Sequence, residues 1–278
     1  MVNTFLFAYL FFVIGWGANY YKPTLREYWQ LTPPDNTAQN GTAKAERKKK
    51  ALENLTVFDK LLVDRLNTYA PHYHTLLLAE INKRAISYYA AYTDSRVAVH
   101  GLHIKPTIYA CFIERLGIEG FYNPFTGEGQ VNASLPAFIM PFLVCHEMAH
   151  QAGIAAEEDA NLMAYAIGTI TSDSTFRYAC YLNIWEYTNR RLYNRDSVTA
   201  LKHEAMLNKL TTAHLDTLEQ ISRKYNNEVS RYSNDLYDSY LKMQDQKEGI
   251  RSYGNVATSA WLLEQKRMTG TDKLIRIP

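Results

Sequence analysis

The stretch Met140–Gly168, MPFLVCHEMAHQAGIAAEEDANLMAYAIG, decides how the rest of the chain is read. Pro141 suits the first turn of a helix, where its missing N–H is harmless, and Gly153 suits the left-handed residue that ends one. The stretch therefore outlines a helix, a reversal, and a second helix from about Ala155 to Gly168. In the first helix His146, Glu147 and His150 spell HExxH. Residues four apart lie one turn above each other, so both imidazoles can grip one ion while Glu147 turns toward the open coordination position.

Each residue type has its own reason to be there. Neutral imidazole is a good ligand for Zn²⁺, and a catalytic zinc takes three protein ligands so that a fourth position can hold water. The pKa of such a water falls to roughly 7 from about 16 in bulk. Glu147 is then placed to accept the proton as general base and to pass it to the leaving group.

No single helical face presents three groups to one tetrahedral ion, so the third ligand has to come from the second helix. Its first turn carries Glu157, Glu158, Asp159 and Asn161. Acids in a first turn also answer the helix dipole, which alone says nothing of a metal. Glu157 and Asn161 stand one turn apart as ExxxN, which favours Glu157 as the ligand and Asn161 as an amide that orients a ligand histidine. Asp159 and Glu158 stay open as alternatives, because helical geometry does not rank side chains within one turn.

Two competing readings of HExxH are weaker. An ordinary amphipathic helix would bury two imidazoles and a carboxylate in an apolar setting (Phe138, Ile139, Met140, Phe142, Leu143, Val144) without partners, which is costly. A di-iron carboxylate bundle needs a second ExxH, and none of His72, His74, His100, His103, His203 and His214 follows a glutamate by three positions. His100 and His103 are read as surface or packing residues.

The segment Gly117–Gly168 resembles a bacterial family of uncharacterised, membrane-anchored proteins that carry a zinc-metallopeptidase motif, a domain of unknown function. The resemblance rests on PFTGE at Pro124–Glu128, HExxHQxG at His146–Gly153 and an acidic stretch ending in AN at Glu157–Asn161. It extends to WGANYYKP at Trp16–Pro23 and GIRSYG at Gly249–Gly254, nearly the whole chain. Asp159 departs from the glutamate expected before the AN pair, which counts against position 159 as ligand. The resemblance implies a gluzincin-like peptidase without naming a substrate. It also implies that PFTGE and Val131-Asn132 could pair with a substrate backbone, against a purely structural loop.

The 278 residues suffice for one sizeable domain and an appendage, and 30 basic against 28 acidic residues leave a net charge of +2, so no polycation for nucleic acid is present. Cys111, Cys145 and Cys180 form no CxxC and read as reduced, structural thiols. The tyrosine clusters Tyr88, Tyr89, Tyr92 and Tyr232, Tyr237, Tyr240 read as packing. Residues 1–21 carry no charge and end in Trp16, Tyr20 and Tyr21 before Lys22 and Arg26, the pattern of a membrane helix with an interfacial belt. A secretory signal or a buried helix are the alternatives. Lys22, Arg26, Lys44 and the run Arg47–Lys50 follow the segment, which puts the catalytic domain of a single-pass bacterial inner-membrane protein on the cytoplasmic side.

The expected architecture is mainly α, a zincin-like helical metallopeptidase domain with a small β element, preceded by an N-terminal membrane helix. Residues 1–21 form the anchor, 22–42 a linker and 43–278 the domain. Helices are expected over 43–67, 75–92, 175–193, 199–229, 234–244 and 256–267, a strand or irregular rim over 95–105, and a hairpin or loop over 121–132. Tyr253, between Gly249 and Gly254, is the candidate oxyanion donor. The expected function is hydrolysis of a peptide or protein substrate by zinc-activated water. The alternatives are a non-catalytic structural zinc site and a zinc hydrolase of other amides such as cell-wall material.

Overall fold

The chain is mainly helical with one small sheet, as seen in a computed structural model that describes residues 2–31, 41–93, 101–225 and 256–269. Helix α1 covers Val2–Gly15 and α2 Leu25–Tyr28; α3 covers Gly41–Tyr69 and α4 Leu78–Tyr92. After β1 (Ile104–Pro106) and α5 (Ala110–Arg115) comes a hairpin of β2 (Gly120–Asn123) and β3 (Glu128–Val131). Then follow α6 (Met140–Gln151), α7 (Glu157–Ile170), α8 (Ser174–Tyr193), α9 (Ser197–Glu204), α10 (Lys209–Tyr225) and α11 (Val256–Met268).

Helices α6 and α7 are buried along almost their whole length. Helices α4 and α8 and the sheet pack around α6, while α2, α4, α8 and α11 surround α7. One apolar core runs through them all and takes in Phe58 and Leu62 of α3, Ile81 of α4, and Phe142 and Met148 of α6. Tyr89 is wholly buried and donates its hydroxyl to the Cys145 carbonyl at 2.6 Å, which ties α4 to the metal-motif helix. A buried phenol with its polar tip satisfied is the packing role expected of the tyrosines. Tyr232, Tyr237 and Tyr240 lie outside the described residues.

Asp173 starts α8. Its carboxylate accepts from the Thr175 and Phe176 amides and from the Arg84 guanidinium, so one side chain caps a helix and fastens it to α4. At the α7–α8 crossing, Gly168 lets the helices touch: a Cβ there would lie 2.1 Å from Cys180 Sγ. Cys145 and Cys180 are buried free thiols, and Cys111 is exposed.

The sheet has the order β1-β3-β2, with β1 parallel and β2 antiparallel to β3. The hairpin expected over 121–132 is therefore present. Its substrate-pairing role at Val131-Asn132 is not, because β3 is the central strand. Val131 lies between Pro106 and Gly120, and the Asn132 amide donates to the Glu119 carbonyl at 2.8 Å.

The N-terminal membrane helix needs correction. No described helix is long and apolar enough to cross a membrane. Helix α1 has 14 residues, about 21 Å at 1.5 Å per residue, against about 30 Å of hydrocarbon. The chain then tightens into a 3₁₀ turn at Gly17–Tyr21, and Trp16 is buried against Tyr122 with ring centroids 4.4 Å apart. The expected belt residue thus packs on protein.

Part of the expected 22–42 linker also packs. Thr24 and Glu27 form a capping box for α2, and Leu25 and Leu31 enter the core. Residues 32–40 lie outside the described residues. The single helix expected over 199–229 is two, α9 and α10, because Asn67 of α3 holds the joint. Its amide donates to the Met206 carbonyl at 2.8 Å and its oxygen accepts from the Asn208 amide at 2.8 Å, while Asn208 caps Thr211 at 3.0 Å. A tertiary contact has overridden a continuous helical pattern. The helix expected over 234–244 lies outside the described residues.

Candidate metal centre

The site is built on the reversal after α6. Gly153 has φ 90°, the left-handed region that a glycine adopts freely. The Gly153 amide then donates to the His150 carbonyl at 2.9 Å and the Ile154 amide to the Ala149 carbonyl at 3.1 Å, so the helix end is satisfied as the chain turns back. The turn does two further things. It presents the Ile154 carbonyl to His150 Nδ1 at 2.7 Å, and it brings the first turn of α7 over the histidines. A carbonyl only accepts, so Nδ1 carries the hydrogen and Nε2 keeps its lone pair for a metal.

His146, His150 and Glu157 converge. The two Nε2 atoms are 3.2 Å apart, and Glu157 lies 3.3 Å from His146 Nε2 and 3.7 Å from His150 Nε2. Ligand atoms about 2.05 Å from one ion at the tetrahedral angle stand ~3.3 Å from each other. The spacing therefore fits zinc. Among the described residues these three make the one His/Cys/Asp/Glu group able to hold a metal. Glu158 instead accepts from Ser259 Oγ at 2.9 Å, and Asp159 is buried with a hydrogen bond from the Leu25 amide, so both acids turn away to hold α11 and α2.

Electrostatics match the geometry. Burial pulls the His150 imidazole down, but the Glu157 carboxylate outweighs it and raises His150 to about 9. Burial raises Glu157, yet both histidines hold it well below the usual carboxylate range. The metal-free site is thus an ion pair whose proton a cation would displace. Glu147 is only 3 % exposed and is pushed up to about 7, chiefly by burial, with Glu157 and Glu119 adding to the shift. Its Oε2 is buried without a hydrogen-bond partner. Such an atom is costly unless something else occupies the site.

Two glycines let the sheet sit against Glu147. A Cβ on Gly120 would lie 2.6 Å from Glu147 Oε1 and one on Gly129 3.4 Å from Glu147 Cβ. Tyr122 of β2 stacks toward His150 with centroids 6.4 Å apart, and Trp16 covers Tyr122 from behind. Lys22 and Asn19 approach Gly153 closely. Trp16, Asn19 and Lys22 thus pack against Tyr122 and Gly153, two residues that flank the site.

The family comparison can now be set beside this geometry. A family described as "Protein of unknown function (DUF3810)" matches residues 1–259. The chain belongs to that family. No curated protein and no solved structure matches it. In this DUF3810 chain the structure brings His146, Glu147, His150 and Glu157 together, as expected from sequence. Asn161 is buried near them but makes no hydrogen bond to either histidine, and its Nδ2 is without a partner. Tyr253 lies outside the described residues. Glu119, Tyr122, Glu186 and Tyr187 were not singled out by sequence, since nothing but the fold brings positions 119, 147 and 186 into one region. Tyr187 feels the charges of Glu119, Glu186 and Glu157, which with burial raise its hydroxyl.

Proposed function

We propose that the protein is a zinc-dependent metallopeptidase of zincin-like design, with His146, His150 and Glu157 holding the ion and Glu147 acting as general base. The observation that carries the reading is the triangle of ligand atoms at 3.2, 3.3 and 3.7 Å beside a buried carboxylate with a free oxygen. Three protein ligands leave one coordination position open, whereas structural zinc sites close theirs with four. A structural site would also have no use for Glu147.

Zinc, when bound, supplies Lewis acidity and makes water a nucleophile near neutral pH. Glu147 accepts the proton from the attacking water and returns it to the leaving nitrogen, as a general base beside the metal does. Tyr122, whose ring stacks toward His150, is the candidate donor to a developing oxyanion.

The membrane part of the reading is contact with a bilayer surface through α1. That helix bears no charge and exposes Leu6, Phe7, Leu10 and Ile14.

The test is metal analysis of protein purified without chelators, combined with peptide-library cleavage by the parent and by Glu147→Gln. The expected result is one zinc per chain in both and turnover in the parent alone. Turnover retained by Glu147→Gln, or protein without zinc, would reject the reading.

A further inference from the structure

Two residues of the sequence motifs have no part in the metal centre: Gln151, the last residue of α6, and Gly127, in the turn between β2 and β3. They meet. Gln151 Nε2 donates to the Gly127 carbonyl at 3.0 Å, and Gln151 Oε1 accepts from the His103 amide, one residue before β1, at 3.0 Å. Gly127 has φ 72°, a left-handed turn position that a glycine adopts without strain. Both polar ends of one side-chain amide are thus engaged by the backbone of the sheet, at the entry of β1 and at the hairpin turn.

Helix α6 presents two pairs of residues four apart, and each pair faces a different neighbour. His146 and His150 face the first turn of α7, where Glu157 lies. Glu147 and Gln151 face the sheet. A Cβ on Gly129 would stand 3.4 Å from Glu147 Cβ and 3.6 Å from Gln151 Cδ, and one on Gly120 would meet Glu147 Oε1 at 2.6 Å. The sheet therefore touches Glu147 through two glycines. Glycine backbone brings sheet and helix close but offers no side chain to interlock, so packing there does not fix how far the sheet slides along α6. Directional hydrogen bonds do. Asn82, 3 % exposed, holds β1 on α4 by exchanging hydrogen bonds with Ile104 at 2.8 and 2.9 Å. Gln151 ties the same sheet to the helix that carries the metal ligands.

We propose that Gln151 is a positioning residue: by holding Gly127 and His103 it sets the register of the sheet on α6, and so places the Glu147 carboxylate and the Tyr122 ring against the metal ligands. The proposal rests on the zinc-site reading above. Gln151 supplies no ligand and no proton, and acts through Gly120, Gly129 and the β2 strand that carries Tyr122.

Gln151→Met keeps the apolar stem of the side chain and removes both hydrogen bonds. In metal-free protein the His103 amide is expected to exchange with deuterium at least about fivefold faster in this variant, read by NMR. In zinc-loaded protein the probe is acetohydroxamate, which chelates zinc through two oxygens and gives its hydroxyl proton to a base beside the metal. Its Kd, measured calorimetrically, should rise about tenfold as Glu147 shifts, with zinc content unchanged. For a peptide that the parent cleaves, kcat should fall about tenfold or more with KM kept within about twofold. Gln151→Glu keeps the acceptor for the His103 amide and loses the donor to Gly127, so it should restore His103 protection and recover part of the acetohydroxamate affinity. Gly168→Ala, which overpacks the α7–α8 crossing, controls for lost stability. An acetohydroxamate Kd equal in parent and Gln151→Met, or an equal rise in Gly168→Ala, would overturn the positioning role and leave the zinc site standing. Failure of acetohydroxamate to bind the zinc-loaded parent would remove the zinc-site reading, and this proposal with it.

Discussion

Gly120 and Glu147 are in contact across the β2–α6 interface: a Cβ at Gly120 would stand 2.6 Å from Glu147 Oε1 and 3.0 Å from the Gln130 carbonyl. The backbone oxygen cannot yield, so the carboxylate must. Gly120→Ala is expected to displace Glu147 and lower kcat by about 100-fold, the usual cost of a misplacement near 1 Å. Zinc content should stay that of the parent. Steady-state kinetics with metal analysis checks it, and an unchanged kcat would show that Glu147 is not the base.

Zinc uptake should release a proton. Metal-free His150 has its pKa raised to about 9 and is charged at neutral pH, whereas a ligand imidazole is neutral. Apparent affinity is therefore expected to climb with pH, by up to about tenfold per unit, until about pH 9. The sign for stability is the reverse. A raised folded-state value stabilises the metal-free protein below the unfolded histidine value of about 6.5, and this is lost as pH rises through 9. Calorimetry in two buffers of different ionisation enthalpy measures the proton count.

Asp173 joins two structural roles in one carboxylate, capping α8 and pairing with Arg84 at 2.8 Å. Burial raises it, but the Arg84 and Tyr88 hydrogen bonds and two backbone amides outweigh burial and lower it. Asp173→Ala should cost about 2–4 kcal/mol in denaturant unfolding. Because the folded value is depressed, the contribution is present above about pH 4 and is lost as pH falls through the folded value. The parent should therefore lose its advantage over the variant in acid.

Gly168 and Cys180 share one packing position, with a new Cβ only 2.1 Å from Sγ and 3.3 Å from the Cys180 Cβ. Gly168→Ala is expected to destabilise by about 1–3 kcal/mol through overpacking. Cys180→Ala in the same chain removes the nearer clash and should recover part of that loss. A double-mutant cycle reads the coupling, and strict additivity would contradict the contact.

Exposed apolar residues on α1 should carry bilayer contact. The double substitution Phe7→Asp and Ile14→Asp, at positions 72 % and 78 % exposed, alters no buried contact. Partitioning onto phospholipid vesicles is expected to fall at least about tenfold, since burying each side chain is worth about 1.5–3 kcal/mol. Equal sedimentation of parent and variant with vesicles would remove α1 as the contact.

Much of the site was legible because it is local. HExxH places two imidazoles by helical repeat, and Gly153 announces the reversal that brings Glu157 back. The mainly helical class and the hairpin before the motif were legible for the same reason. The ExxxN spacing favoured Glu157 but left Glu158 and Asp159 open; what turns those two away is where α11 and α2 lie, since Ser259 engages one and the Leu25 amide the other. Position 161 suggested an orienting amide, yet the Ile154 carbonyl orients His150, a backbone partner that no side-chain pattern reveals.

The amino-acid sequence by itself determined the helical periods, the caps, and the spacing that stacks His146 on His150, since each depends on neighbours within a turn or two. Tertiary structure alone decided that Trp16 packs on Tyr122, that Asn67 breaks the 199–229 segment into two helices, and that the Tyr89 hydroxyl meets the Cys145 carbonyl. Those contacts join residues dozens of positions apart. Their energies come from burial and charge in three dimensions, which composition and periodicity along a chain do not encode.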